Sequence, residues 1–315
     1  MNDALRFLAK ILRKYGYDIK RHYQYNLLPI NNIESFNSVS GLYNSDNNEP
    51  GHKEESLDVL FICLRTCLKN NPDKIRPPEI TGSGHEELVF RCINSLINSI
   101  NHAQKNNNGT EIKLIIFDDH SDEEHQKVIE NICEKSGAAW EIRTTQSAGQ
   151  GNSLYEQFQF ARTRNGLCYF CEDDYLHEES AVSEMLRFYK QVFLKCNTHL
   201  VIHPQEHEFL FTRYVYPSYI LLGENRHWRT ISHATHTMFT HSCLVSKYWQ
   251  YFENTRFVGD KKNRRLGVES RTTNHLFEHV PGFAPVPALA AHMQVQDSLP
   301  PFFNWRALWE KNRLE

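Results

Sequence analysis

Between residues 57 and 180 the chain alternates short apolar runs with longer amphipathic ones. Leu57–Leu64 (LDVLFICL) is almost continuously apolar, the pattern of a strand covered on both faces. Over Glu86–Ala103 the apolar positions Leu88, Val89, Cys92, Leu96, Ile97 and Ile100 recur at helical spacing. Ile112–Phe117 (IKLIIF) predicts a second buried strand, Asp122–Ser136 a helix, Ala138–Thr144 a third strand, Asn152–Thr163 a helix, and Leu167–Cys171 a fourth strand. Such repetition predicts an α/β sheet with helices on both faces, whose ligands bind beyond the carboxyl ends of the strands. Two acidic clusters fall at those ends: Asp118-Asp119 after the second strand and Glu172-Asp173-Asp174 after the fourth.

The second half is less regular. Glu179–Leu194 reads as a helix and Leu200–His203 as a short strand, while His241–Phe252 mixes both signals. Residues 259–265 (GDKKNRR) form a charged loop, and the Pro- and aromatic-rich tail 281–305 is expected to wrap the sheet. Upstream, Leu5, Leu8, Ile11, Leu12 and Tyr15 lie at helical spacing over residues 3–16 among basic residues. This arm either packs on the main domain or lies on an anionic membrane surface. Residues 31–56 are too polar to bury much surface and read as a linker. The expected organisation is therefore 1–56 as helix and linker, 57–180 as a ligand-binding half, and 181–315 as a second half of the same domain.

Composition narrows the class. A formal charge of −3 and 40% hydrophobic residues are ordinary for a globular protein and give no reason to expect a nucleic-acid partner. No run reaches the ~18 apolar residues of a membrane span. Arg6, Lys10, Arg13 and Lys14 interrupt any signal-peptide-like stretch, so a cytoplasmic location is expected. Several of the eight cysteines sit in apolar runs, as reduced thiols do. Cys168 and Cys171 have CxxC spacing, but their strand pattern and the lack of a second pair make them structural.

The acidic clusters carry the candidate chemistry. Asp118-Asp119-His120-Ser121-Asp122 suits a turn in which Asp122 caps the next helix, and its carboxylates can equally accept from a nucleobase or a ribose. Three consecutive acids after a strand repel one another, a cost that a bound Mg²⁺ or Mn²⁺ removes; the alternative is a solvated acidic turn. His233, His236 and His241 lack the spacing of a helix-borne zinc site.

Strand–Asp-Asp-x-Ser-Asp, a small-residue segment around Gln150-Gly151-Asn152-Ser153, then strand–Glu-Asp-Asp resembles the nucleotide-sugar half of GT-A glycosyltransferases, especially family 2. The likeness covers roughly residues 57–180, with Asp119 and Asp173 separated by 54 positions. It implies a GT-A, Rossmann-like fold with an irregular acceptor half, a nucleotide-sugar donor (UDP-linked by analogy) and a glycan or lipid-linked acceptor, as in polysaccharide biosynthesis. Asp118 or Asp119 would contact the nucleoside, Arg65 and Thr66 would line the same pocket, and Asp173 would face the ribose. Asp174, with Glu172 in a position where Asp is commoner, would hold Mn²⁺ or Mg²⁺, and His292 resembles the additional ligand that some of these enzymes take from a late histidine. A carboxylate base for an inverting transfer would be Glu269 or Asp260. Glu269 is otherwise a helix-start acid before Arg271–Glu278, and Asp260 a member of a solvated loop. A non-catalytic nucleotide-sugar-binding protein on the same core is the rival outside enzymes. A nucleotidyltransferase is a rival within them, though it would be expected to carry a Gly-rich basic loop by the first strand, and this chain has Cys63-Leu64-Arg65-Thr66-Cys67 there.

Overall fold

A computed structural model of the protein describes residues 8, 11–12, 14–15, 55–68, 77, 80, 82–106, 109–206, 218–232, 234–260, 262–294 and 299–314. Most of the expected arm over 3–16 and of the linker over 31–56 lies outside these residues, as does His233.

The strands are β1 (Val59–Thr66), β2 (Glu111–Asp118), β3 (Ala139–Thr144), β4 (Leu167–Glu172), β5 (Tyr175–His177), β6 (Val201–Ile202), β7 (Ile220–Leu222), β8 (His227–Ile231), β9 (Met238–His241), β10 (Gly282–Val286) and β11 (Ala290–His292). The helices are α1 (His85–Asn106), α2 (Glu123–Cys133), α3 (Gln150–Arg162), α4 (Ala181–Cys196), α5 (Ser242–Lys247), α6 (Trp249–Glu253), α7 (Arg264–Gly267) and α8 (Trp305–Lys311). One sheet runs in the order β3-β2-β1-β4-β9-β6-β10-β8-β7, and β11 pairs with β5 in a separate ribbon. β1 to β4 are mutually parallel, and β9 is antiparallel to β4. The sheet thus continues from the first half of the chain into the second without a break at residue 180.

Residues of alternate parity on each strand feed different cores. Leu60, Ile62 and Leu64 of β1 join Ile93, Ile97 and Ile100 of α1 and Met185 of α4 on one face. Phe61 and Cys63 join Leu154 and Phe158 of α3 and Phe252 of α6 on the other. The same alternation separates Cys168 from Cys171: three positions apart in β4, they fall on opposite faces and form no pair. All eight cysteines are free thiols. Burial pushes the Cys168 and Cys171 thiols well up, which keeps both protonated and inert.

Two parts of the second half depart from the expectation. The tail does not simply wrap the sheet: Gly282–Val286 enters it as β10 between β6 and β8, and Ala290–His292 pairs antiparallel with β5. The helix expected over Arg271–Glu278 is instead two 3₁₀ turns, Glu269–Arg271 and Thr273–Glu278, separated by Thr272 at φ −124°, ψ −112°. Pro285 argues against a strand over Gly282–Val286, and polar residues among the apolar ones leave the 3₁₀ turns without a helical stripe.

Candidate active site

The strand order places the site. The chain leaves β1 toward β2 on one side and returns through β4 on the other, so the carboxyl ends of β1 and β4 bound a topological switch point. Arg65 and Thr66 end β1, Asp118 ends β2, Glu172 ends β4, and the N-terminus of α3 opens above them.

Arg65 organises this edge although only 6% of it is exposed. Its Nε donates to Ser153 Oγ at 2.7 Å; its Nη2 lies 3.9 Å from Asp119 Oδ2 and its Nη1 3.8 Å from Glu172 Oε1. Burial works against the guanidinium charge, but Asp173, Glu172 and Asp119 outweigh it and hold the pKa above its ordinary value. Arg65 therefore joins the two acidic clusters, and β1 runs past the predicted Leu64 because Arg65 and Thr66 find buried partners.

Asp118 is committed to its own loop. It accepts from Thr66 Oγ1 at 2.9 Å, Ser121 Oγ at 2.6 Å, Ser121 N at 2.9 Å and Gln126 Nε2 at 2.9 Å. Thr66 is spent on the same interaction, so neither side chain is presented to a ligand. Asp122 caps α2 by accepting from His125 N at 2.9 Å. His120 takes φ 58°, which turns the chain sharply and leaves Asp119 facing α3. Asp119 Oδ1 accepts from Gly149 N at 2.9 Å.

Gly151, in the first turn of α3, is required by a close approach. A Cβ there would meet Arg256 O and lie 2.6 Å from Val258 O, both backbone atoms. Gly151→Ala is expected to lose about 1–3 kcal/mol through overpacking, lowering the thermal midpoint. Gly84→Ala, with nothing within 4 Å of its Cβ, is expected to leave it nearly unchanged. Comparing the two melting curves checks this.

The acid triplet divides by role. Glu172 lies beside Arg65 and accepts from Gln150 Nε2 at 3.3 Å. Asp173, 1% exposed, accepts from Cys67 N at 2.7 Å through Oδ2, while its buried Oδ1 has no hydrogen-bond partner among the described residues. Asp174 Oδ1 lies 3.3 Å from His292 Nε2. That meeting is produced by the β5–β11 ribbon, whose register sets His292 opposite Tyr175. The imidazole stacks on the Tyr175 ring at 4.6 Å and 7°, and Met293 N donates to Asp174 O at 2.8 Å.

Tyr175 Oη and Thr235 Oγ1 are hydrogen-bonded at 2.8 Å, and the residue after Thr235, buried His236, lies 3.6 Å from Glu269 Oε1 through Nδ1. Glu269 keeps 43% of its side chain exposed. Asp260 differs: its carboxylate accepts from Lys262 N at 2.7 Å, Asn263 N at 3.2 Å and Asn263 Nδ2 at 3.0 Å. These bonds hold its pKa below the ordinary value, so it staples its loop and is ill-suited to accept a proton.

The histidines of the HATHTMFTH stretch diverge. His241 ends β9 at the opposite edge of the sheet, where His199, His241 and Cys243 bring ligand-type atoms within 4.8 Å of one another. Their ring nitrogens are already engaged. His199 bonds Glu55 at 2.6 Å and Tyr189 at 2.7 Å; His241 accepts from Cys243 N at 3.1 Å and contacts Ser56 O at 3.2 Å.

Sequence reasoning missed Ser153, Gln150 and the Cys67 amide as partners of the acids. The Gly-Gln-Gly-Asn-Ser segment was the available signal for the first two. It also missed His236, whose link to Glu269 spans a gap in sequence that no local pattern bridges.

The profile of glycosyl transferase family 2 matches residues 84–250, just over half of the chain. The chain therefore belongs to that family and is a glycosyltransferase with the α/β architecture expected of the GT-A class. The match spans both acid clusters, whereas Asp260, Glu269 and His292 lie beyond it. No curated protein sequence matches the chain. Among solved structures, a UDP-glucose pyrophosphorylase complexed with UDP-glucose is 13% identical over 80% of this chain and 97% of its own, at a TM-score of 0.44. The S. aureus protein TarS is 12% identical over 72% of this chain at a TM-score of 0.39, and the match spans 34% of TarS. The inositol-1-phosphate CTP transferase of T. maritima is 11% identical over 82% of this chain and 97% of its own, at a TM-score of 0.38. Among the described residues, no helix is long and apolar enough to cross a membrane.

Proposed function

We propose that the protein transfers a sugar from a nucleotide-sugar, UDP-linked, to a glycan or lipid-linked acceptor by an inverting displacement that depends on a divalent metal. The observation that carries this reading is the convergence of Asp174 and His292, 118 positions apart in the chain, at 3.3 Å, next in sequence to Asp173, whose buried Oδ1 has no hydrogen-bond partner among the described residues.

The donor set fits a divalent cation. A carboxylate and an imidazole converging at a switch point suit Mn²⁺ better than Mg²⁺, which prefers oxygen alone. Asp174 and His292 would hold the ion, which when bound supplies charge to offset the diphosphate leaving group. Glu172 stands in the same turn, but its contacts with Arg65 and Gln150 assign it to ordering the edge. Asp119 and the first turn of α3 bound the nucleoside pocket on one side, and Asp173 Oδ1 is free to accept from a ribose hydroxyl. Glu269 is the carboxylate available to take the proton of the acceptor hydroxyl, with His236 positioning it. Contact with a membrane through the basic segment over 3–16 is compatible with a lipid-linked acceptor.

The test is a panel of nucleotide-sugars assayed for released nucleotide in Mn²⁺, in Mg²⁺ and in chelator. Release from at least one UDP-sugar in Mn²⁺, lost in chelator, is the expected outcome. Binding without turnover would instead favour an inert nucleotide-sugar-binding core. Pyrophosphate formed from a nucleoside triphosphate and a sugar 1-phosphate would favour a nucleotidyltransferase.

A further inference from the structure

Two groups of the site stand on different elements: Asp174 and His292 at the β5–β11 ribbon, and Glu269 with His236 at the 3₁₀ turns. Tyr175 reaches toward both. It follows Asp174 directly in the chain, and the register of the ribbon sets it opposite His292. Its ring, 1% exposed, lies 4.6 Å from the His292 imidazole at 7°, a stacked contact that fixes the plane of that imidazole.

The far end of the ring meets the loop between β8 and β9. Tyr175 Oη and Thr235 Oγ1 are hydrogen-bonded although 60 positions apart in the chain. Thr235 Oγ1 also accepts from Thr237 N at 3.2 Å, so the bond reaches the backbone of the loop. The Tyr175 ring packs edge-on against His203 at 6.2 Å and 81°, and His203 Nδ1 lies 2.9 Å from Thr237 O. Between the two threonines stands His236, 3% exposed, which faces Glu269 through Nδ1 and lies 3.4 Å from Thr272 Oγ1 through Nε2. Thr272 Oγ1 in turn donates to Val268 O at 3.1 Å. His236 thereby contacts the turn Glu269–Arg271 at its first residue and at the residue that follows it.

We infer that Tyr175 is a positioning residue: its ring sets His292 and its hydroxyl sets the Thr235–Thr237 loop, holding the metal-binding pair and the proton-accepting carboxylate at one separation. A buried tyrosine suits this because its ring is a rigid spacer with few rotatable bonds and its polar end must find a partner. The inference rests on the glycosyltransferase reading, in which leaving group and incoming hydroxyl react at one sugar carbon and their relative placement governs the rate.

Tyr175→Phe keeps the ring and removes the hydroxyl. Thr235→Val removes the other half of the same bond, and Thr235→Ser restores a hydroxyl there. UDP release is measured in Mn²⁺ from UDP-glucose, UDP-galactose and UDP-N-acetylglucosamine, with and without methyl glucoside as acceptor. Mn²⁺ affinity is measured separately, from the electron paramagnetic resonance signal of the free ion. The expected result is a kcat about ten- to a hundredfold lower in Tyr175→Phe and in Thr235→Val, the range for one hydrogen bond that fixes a reacting group. The KM for the UDP-sugar and the Mn²⁺ affinity stay as in the wild type, and Thr235→Ser keeps most of kcat. The double variant Tyr175→Phe/Thr235→Val loses no more than either single one, because both remove the same link.

Where Tyr175→Phe does not fold, Thr235→Val and Thr235→Ser carry the test. Lowered thermal midpoints with kcat unchanged would mean that the hydroxyl only packs the core. That result, losses that add in the double variant, or a kcat loss matched by a loss of Mn²⁺ affinity overturns the positioning role and leaves the metal-dependent reading standing. A wild type that releases UDP from none of the three sugars overturns both.

Discussion

Asp174→Ala is expected to abolish Mn²⁺-dependent binding and turnover of the nucleotide-sugar while leaving the fold intact. The backbone bond from Met293 N to Asp174 O does not involve the side chain, so the turn between β4 and β5 survives the truncation. What is lost is the carboxylate that His292 faces at 3.3 Å. Charge stabilisation of a leaving group by a bound metal is worth several kcal/mol, or on the order of 10²–10³-fold in rate at ~1.4 kcal/mol per decade. His292→Ala should produce a smaller loss in the same direction, because one oxygen donor remains. Isothermal titration with and without Mn²⁺, beside a circular dichroism spectrum of each variant, checks both. Undiminished metal dependence in Asp174→Ala would remove the central assignment.

Glu269→Gln is expected to lower kcat on the order of 10²–10⁴-fold with little change in donor affinity, the signature of a lost general base. The amide keeps the size of the side chain and its place beside His236 but cannot take a proton. Asp260→Asn serves as the comparison. Its carboxylate is held by Lys262 and Asn263 within one loop, so the variant should retain most turnover. Steady-state kinetics with donor and acceptor varied separately decides between the two acids. The reverse ranking would move the base into the loop at residue 260.

Charge at the site is balanced unevenly. Three consecutive acids suggested that a metal alone relieves their repulsion, but Arg65 already lies between Asp119 and Glu172 and is shielded from solvent. Removing one partner of a buried ion pair typically costs about 3–5 kcal/mol, so Arg65 is a structural member of the edge. Glu172 is thereby held toward Arg65, and Asp174 lies against His292.

The first half was legible because each element there has one dominant period. Leu60, Ile62 and Leu64 alternate with Phe61 and Cys63 between two cores, and α1 presents an unbroken apolar stripe, so strand and helix assignments follow from side chains alone. Helix and strand boundaries shifted by one to three residues where polar side chains such as Arg65 and Thr66 found buried partners. The second half was not legible to the same degree. β5, β7 and β11 have three residues each and β6 has two, too few to show a period, and the 3₁₀ turns after Glu269 have no helical stripe.

What the sequence determined by itself was the alternation of strand and helix over 57–180 and the placing of both acid clusters at strand ends, because apolar burial along one strand or one helix is a local property. Which acid does what was decided by tertiary structure alone. Asp118 is absorbed by Thr66, Ser121 and Gln126, while Asp174 meets a histidine 118 positions later. A carboxylate's role depends on the donors and charges that folding brings within about 4 Å of it, and at this site those come from elements distant in the chain.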